Sequence, residues 1–132
     1  MAFNDRFRLS AHAVFVDDAR RVLQLRATYG EQRWGLPGGA LEPGETVHAA
    51  LLRECQEELG QAIVIEYLSG IYHHHTHESH AFIFRCTLAH AVITLSDEHS
   101  TFRWFGLDEL STVQRRRVEE CLGFDGTVRS AS

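Results

Sequence analysis

Glu54, Glu57 and Glu58 fall within one short stretch directly after a glycine-rich turn. If that stretch is helical, at about 100° per residue, the three carboxylates share an arc of roughly 100°. Leu51, Leu52, Cys55 and Leu59 occupy the neighbouring arc, so one stripe packs while the other presents acids. A solvated acidic face is the alternative, but the spacing argues against it. Glu54 and Glu58 form a like-charged i,i+4 pair, destabilising by roughly 0.2–0.5 kcal/mol. Glu57 and Glu58 also sit near the negative end of the helix dipole, where acids are unfavourable. A helix selected for stability alone would interleave arginine or lysine. Clustered hard oxygens suit Mg²⁺ or Mn²⁺, whose charge would offset the repulsion.

The surrounding sequence supplies elements to position these acids. Trp34 to Gly39 reads as a short extended piece ending in the Gly38-Gly39 turn. Pro43-Gly44 introduces the acidic helix, expected from about Glu45 to Leu59, with Gly60 as its stop. Residues 9–16 and 22–27 alternate or run apolar around Asp17-Asp18-Ala19-Arg20 and are expected to form a hairpin. Residues 62–72, 80–88 and 102–105 read as further strands. Asp108 is the expected cap of a last helix reaching about Leu122, and residues 123–132 are expected to fray.

The segment from Gly39 resembles the Nudix box, the signature of the Nudix hydrolases. The pattern is Gly, five residues, Glu, seven residues, then Arg-Glu-aliphatic-x-Glu-Glu-x-Gly-aliphatic. It is met by Gly39, Glu45, Arg53, Glu54, Glu57, Glu58 and Gly60, while Cys55 and Gln61 stand in the two aliphatic slots. Cys55 is a mild change, because a free cysteine behaves as a small hydrophobe. Gln61 is a real departure that bears on local packing, with Ala62 and Ile63 available for the missing apolar contact.

The resemblance implies an α/β Nudix fold, a mixed β-sheet sandwiched between α-helices. One domain is expected over 1–132, with its core at about 9–122. It implies that Glu57 and Glu58 are metal ligands, with Glu54 a ligand or the general base and the Gly38 carbonyl a further ligand. Arg53 and Glu45 match the supporting pair. Their plain alternatives are an ion pair of Arg53 with Glu57 and a helix-start acid at Glu45. Family members often add an acid from a loop outside the box, and Glu98 is the favoured candidate, ahead of Asp97 and Glu78. The cofactor implied is Mg²⁺, with Mn²⁺ as a substitute.

The chemistry implied is cleavage of a nucleoside diphosphate linked to a group X, nucleoside triphosphates included, to a nucleoside monophosphate and phospho-X or pyrophosphate. A non-catalytic nucleotide-binding or regulatory module is the alternative, but such a module would be expected to have lost box acids. Isoprenoid diphosphate isomerisation on this fold is disfavoured by the separated cysteines. The NADH pyrophosphatase signature is absent, Thr76 stands where ADP-ribose members carry proline, and His77 to Ser79 lack the tyrosine of dinucleoside polyphosphate members. By elimination the branch acting on nucleoside triphosphates is the best match.

For substrate contact, Tyr29 and Arg33 precede the glycine turn and Arg26 lies on a strand before them. Stacking on an aromatic ring contributes roughly 1–3 kcal/mol per base. The tract His73-His74-His75-Thr76-His77 is open to three readings: zinc, substrate contact, or an incidental exposed strand end. His75 and His77 are the substrate candidates within it. If the tract were extended, His73, His75 and His77 would share a face.

Composition narrows the function classes. Net charge is −5, and all 13 basic residues are arginine, since lysine is absent. That removes a Walker-type phosphate loop and any Schiff-base lysine, and argues against a nucleic-acid partner. The expected partner is a small nucleotide, with the protein a monomer or homodimer. Cys55, Cys86 and Cys121 are widely spaced and read as reduced core residues. With no basic-then-apolar leader and no run of roughly 18 apolar residues, a cytoplasmic protein without a membrane span is expected.

Overall fold

A computed structural model of the chain describes residues 3–132. Its strands are β1 (Arg8–Val14), β2 (Val22–Ala27), β3 (Trp34–Gly35), β4 (Gly38–Ala40), β5 (Ile63–His74), β6 (Ser79–Leu88), β7 (His99–Phe105) and β8 (Arg129–Ala131). Two helices, α1 (Val47–Leu59) and α2 (Thr112–Leu122), lie between β4 and β5 and between β7 and β8.

Strand periodicity explains why the helices lie on opposite faces. Successive strand residues point to opposite sides. Ala11, Ala13 and Phe15, with Leu23, Leu25, Phe84 and Cys86, form one core with Leu51, Cys55 and Leu59 of α1. Val14, Val22, Ala81 and Ile83 form the other core with Val118 and Cys121 of α2. The α/β sandwich expected from the resemblance is therefore present. Leu51, Cys55 and Leu59 stand at i, i+4 and i+8, and each is fully buried. Full burial of a leucine contributes roughly 1.5–3 kcal/mol. Leu52 is 44% exposed, so the apolar stripe of α1 is narrower than its sequence implied.

The strands form two sheets, one of five strands in the order β4-β1-β6-β5-β8 and one of three in the order β3-β2-β7. This corrects the expected hairpin. The Asp17 carboxylate does organise a turn, accepting the Ala19 and Arg21 amides at 3.0 and 2.8 Å. Beyond one bridge between Val16 and Val22, however, the strands part. β1 pairs in parallel with β6, from Arg8 opposite Ser79 to Val14 opposite Arg85. β2 pairs antiparallel with β3 and β7. Alternation fixes the face of a strand but does not fix its partner.

Two more boundaries differ from expectation. Ser111, not Asp108, caps α2, accepting the Gln114 amide at 3.2 Å, while Leu107–Glu109 form a 3₁₀ turn. Within the tail expected to fray, Arg129–Ala131 add β8 in parallel to β5, and Phe124 stacks on Tyr67 at 4.5 Å. Cys55, Cys86 and Cys121 are free and buried. Among the described residues, no helix is long and apolar enough to cross a membrane.

Candidate active site

The acidic helix starts cleanly. The Thr46 hydroxyl accepts the Ala49 amide at 3.0 Å, so Glu45 lies just before the cap rather than inside the helix. Gly60 closes the other end in the left-handed conformation, its amide donating to the Gln56 carbonyl. This placement sets the Glu54 carboxyl against Gly39 and Glu58 at the lining of a cleft, while Glu57 stays exposed.

Glu58 is the most constrained of them. The residue is 5% exposed, and its Oε1 accepts the Gly38 amide hydrogen at 2.7 Å. Burial pushes its pKa up to about 8, the Gly38 amide opposes this, and the negative charges of Glu54, Glu98 and Glu57 add to it. Glu54 is raised as well, by burial first, against the pull of Arg53. Glu57 is the exposed member of the set.

The glycine turn matters because backbone and side chain approach closely there. Gly38 has φ +137°, and a Cβ on it would lie 2.0 Å from the Ala11 carbonyl oxygen. A Cβ on Gly39 would lie 2.7 Å from the Glu54 carboxyl carbon. Glu54 therefore rests against bare glycine backbone.

Arg53 organises the remaining acids. Its guanidinium holds Glu45 at 2.6 and 2.9 Å and Glu54 at 2.9 Å, with Glu57 at 3.5 Å and Glu42 at 3.8 Å. Glu45 is held at about pKa 2, chiefly by its hydrogen bond from Arg53. The plain reading of Arg53 as a partner of Glu57 alone is too narrow, because its shortest contacts run to Glu45 and Glu54.

Among the described residues, no three His, Cys, Asp or Glu side chains are converged closely enough to cage a metal. Arg53 pairs with Glu54 and Glu57, while Glu58 accepts from Gly38. The donor set nonetheless fits a hard divalent cation. Mg²⁺ keeps several waters and takes only one or two carboxylates plus substrate phosphates. A buried carboxyl driven up to about pKa 8 is also one whose ionised form a cation would stabilise.

The cleft beside Glu58 has a volume of about 310 Å³ and is lined by Tyr29, Arg33, Leu36, Gly38 and His99 among others. Tyr29 is 66% exposed, and Arg33 is paired with Glu31 at 2.7 Å. Arg26 instead reaches the Gln32 carbonyl at 3.3 Å, bracing the loop that carries Tyr29 and Arg33. Glu98 is exposed, yet near enough for its charge to raise both Glu54 and Glu58.

His75 and His77 do not line this cleft. Strand β5 ends at His74, and His75–His77 form a 3₁₀ turn closed by Glu78 at φ +44°. The shared face expected for His73, His75 and His77 is therefore absent: His74 stacks on His77, while His73 meets His75 and His80. His75 lines a separate groove against α2.

His99 was not singled out from the sequence. Its Nε2 lies 3.8 Å from Glu58, and its Nδ1 is buried without a hydrogen-bond partner. Burial lowers its pKa, partly offset by Glu98. Its only signal in the sequence was adjacency to Glu98.

A family model for the NUDIX domain matches residues 6–121. A MutT-like protein of Streptomyces ambofaciens is 36% identical over 101 residues, covering 76% of this chain and 64% of the relative. The nucleoside triphosphatase NudI of Escherichia fergusonii is 32% identical over 92 residues, covering 60% of this chain and 65% of the relative. The chain thus spans just under two thirds of the length of these relatives. The crystal structure of an ADP-ribose pyrophosphatase from Streptococcus suis superposes with a TM-score of 0.79 at 18% identity, covering 95% of this chain and 99% of that one. At that identity the likeness is one of fold.

Proposed function

This chain belongs to the Nudix family, and we propose that it is a divalent-metal-dependent pyrophosphohydrolase acting on a nucleoside diphosphate linked to a group X. Nucleoside triphosphates are the substrate class the proposal favours. The observation that carries it is Glu58: a buried, cleft-facing carboxyl beside Glu54, in a helix that would be more stable without either charge. Nudix hydrolases generally need a divalent metal, and Mg²⁺ is the ion proposed here, with Mn²⁺ able to substitute.

Glu57, Glu58 and the Gly38 carbonyl are assigned to hold that ion, with Glu54 either a fourth ligand or the base. A bound divalent cation would neutralise phosphate charge and lower the pKa of water. The protein's own part is to hold groups in place. Arg53 keeps Glu45 and Glu54 fixed, which limits the reorganisation needed when substrate arrives. Glu54, raised above an ordinary carboxylate, is suited to accept the proton of attacking water, and Glu98 at the rim is the second acid available for that step. Tyr29 offers an exposed ring to a nucleobase, and Arg33 exchanges Glu31 for phosphate. Arg26 serves the loop, and His75 and His77 take no part.

The deciding experiment is a panel of nucleoside triphosphates, nucleotide sugars and ADP-ribose incubated with Mg²⁺ and followed for phosphate or pyrophosphate release. Metal-dependent release of a nucleoside monophosphate supports the assignment. Tight nucleotide binding with no turnover on the whole panel would instead favour a binding module.

A further inference from the structure

Gln61 occupies the last slot of the motif, where the pattern has an aliphatic residue, and yet it is only 5% exposed. Both ends of its amide are used. The Nε2 group donates to the Val92 carbonyl at 2.7 Å, and Oε1 accepts the His90 amide hydrogen at 2.8 Å. Beside it the Thr94 amide donates to the Leu59 carbonyl at 3.0 Å. Gly60 leaves room for this contact, since a Cβ there would stand 2.9 Å from the Thr94 Cβ. An aliphatic side chain would fill the space but leave the His90 amide and Val92 carbonyl without these partners.

The segment pinned in this way leads into the cleft. Ile93 and Leu95 pack against the α1 core, and the chain then reaches Glu98 and His99. Its far end is fixed by Thr28, whose hydroxyl donates to the Asp97 carbonyl at 3.0 Å and whose amide donates to the Glu98 carbonyl at 2.9 Å. Tyr29 follows Thr28 directly. One loop therefore connects the end of the acidic helix to both the acid at the rim and the nucleotide side of the cleft.

We propose that Gln61 is a positioning residue: its amide clamps residues 90–96 onto the end of α1 and so sets where Glu98 and His99 stand relative to Glu54 and Glu58. The catalytic consequence rests on the hydrolase reading given above; the clamp itself does not. Residues 89–96 carry no regular secondary structure, so their order comes from the Gln61 and Leu59 hydrogen bonds together with the packing of Ile93 and Leu95.

The test is Gln61→Leu, which restores the aliphatic type of the pattern at similar volume. Hydrogen exchange of amides 90–99 should accelerate by about ten- to a hundredfold, the effect of removing two partly buried hydrogen bonds of ordinary net strength. Amides of residues 51–59 should keep their rates. Turnover should fall by about tenfold in kcat with KM changed by less than about twofold, a split expected when a reacting group is displaced while substrate binding stays intact. Gln61→Glu, which keeps the acceptor for His90 but sets a carboxylate oxygen against the Val92 carbonyl, should loosen the loop at least as much as Gln61→Leu. Equal acceleration across α1 and both sheets, or unchanged loop exchange, would overturn the clamp. A loosened loop with unchanged kcat would overturn the positioning role. If wild type hydrolyses nothing, the hydrolase reading fails while the exchange arm still decides the clamp.

Discussion

Glu58 accepts the Gly38 amide hydrogen at 2.7 Å from a site only 5% exposed, so a single hydrogen bond ties the acidic helix to the glycine turn. One neutral donor does not offset the burial of a carboxylate, which is why the group is pushed up to about pKa 8. Native protein then holds a proton that the unfolded chain has already released, across the interval from pH 4.5 to about 8.

In metal-free protein, stability should therefore decline as pH rises through that interval. The lower part is offset by His12, whose pKa falls from 6.5 to about 4 on burial and which adds stability as pH rises between those values. His99 acts in the same direction as His12. The uncompensated window is pH 6.5 to about 8, where a loss of a few kcal/mol at most is expected. Urea unfolding at closely spaced pH in EDTA measures it, and stability that rose across that window would contradict the burial of Glu58.

How much of this was legible in the sequence follows from the range of the forces involved. The acidic helix and its glycine stop were readable because spacing along one helix is local, whereas the directions its three carboxylates take depend on Arg53 and Gly38. The three buried cysteines were readable from apolar context. The hairpin failed because alternation leaves β1 and β2 free to choose distant partners, and only tertiary pairing with β6 and β7 decides between them. Strand β8 was invisible because three residues set no period. The contacts of His99 and Gln61 were hidden for the same reason: each depends on a residue far along the chain, Glu58 for one and Val92 for the other.

Substitution at the two glycines should separate stability from activity. In Gly39→Ala the new methyl meets the flexible end of Glu54, so the carboxyl moves while the fold stays within about 1 kcal/mol of wild type. On the role proposed for Glu54, activity should drop by about a hundredfold, as expected for a displacement of roughly 1 Å. Gly38→Ala meets backbone at 2.0 Å and a φ of +137°, and should be destabilised by more than about 3 kcal/mol. Thermal midpoints and turnover on the two variants check the contrast, and equal stability losses would contradict it.

Arg53→Met should act through Glu45 and Glu54 together. Turnover is expected to fall by about a hundredfold because both acids lose the partner that fixes them. The variant should also lose an acid-side arm of stability. Glu45 is depressed to about pKa 2 in the native protein, so it contributes stability above pH 4.5 that disappears as pH falls toward 2. A wild-type slope retained by the variant in that range would show that Arg53 is not the cause.

Glu58→Gln joins stability to function. The amide oxygen can still accept the Gly38 hydrogen, so the tie between helix and turn survives. What disappears is the ability to ionise. At about pH 6.5 wild-type Glu58 is largely protonated, and the variant should match it closely in stability. At about pH 9 the wild-type group is charged, beside Glu54 and at the adverse end of the helix dipole, and the metal-free variant should be more stable by at least about 0.5–1 kcal/mol. Mg²⁺ should raise the thermal midpoint of wild type, increasingly with pH, and should do so far less in the variant, whose neutral oxygen is a poorer ligand. Turnover on the best panel substrate should fall at least about a hundredfold. Scanning thermal midpoints with and without Mg²⁺ at both pH values, alongside hydrolysis, reads all of this at once. Wild-type turnover with an unchanged response to Mg²⁺ would remove Glu58 from the metal site.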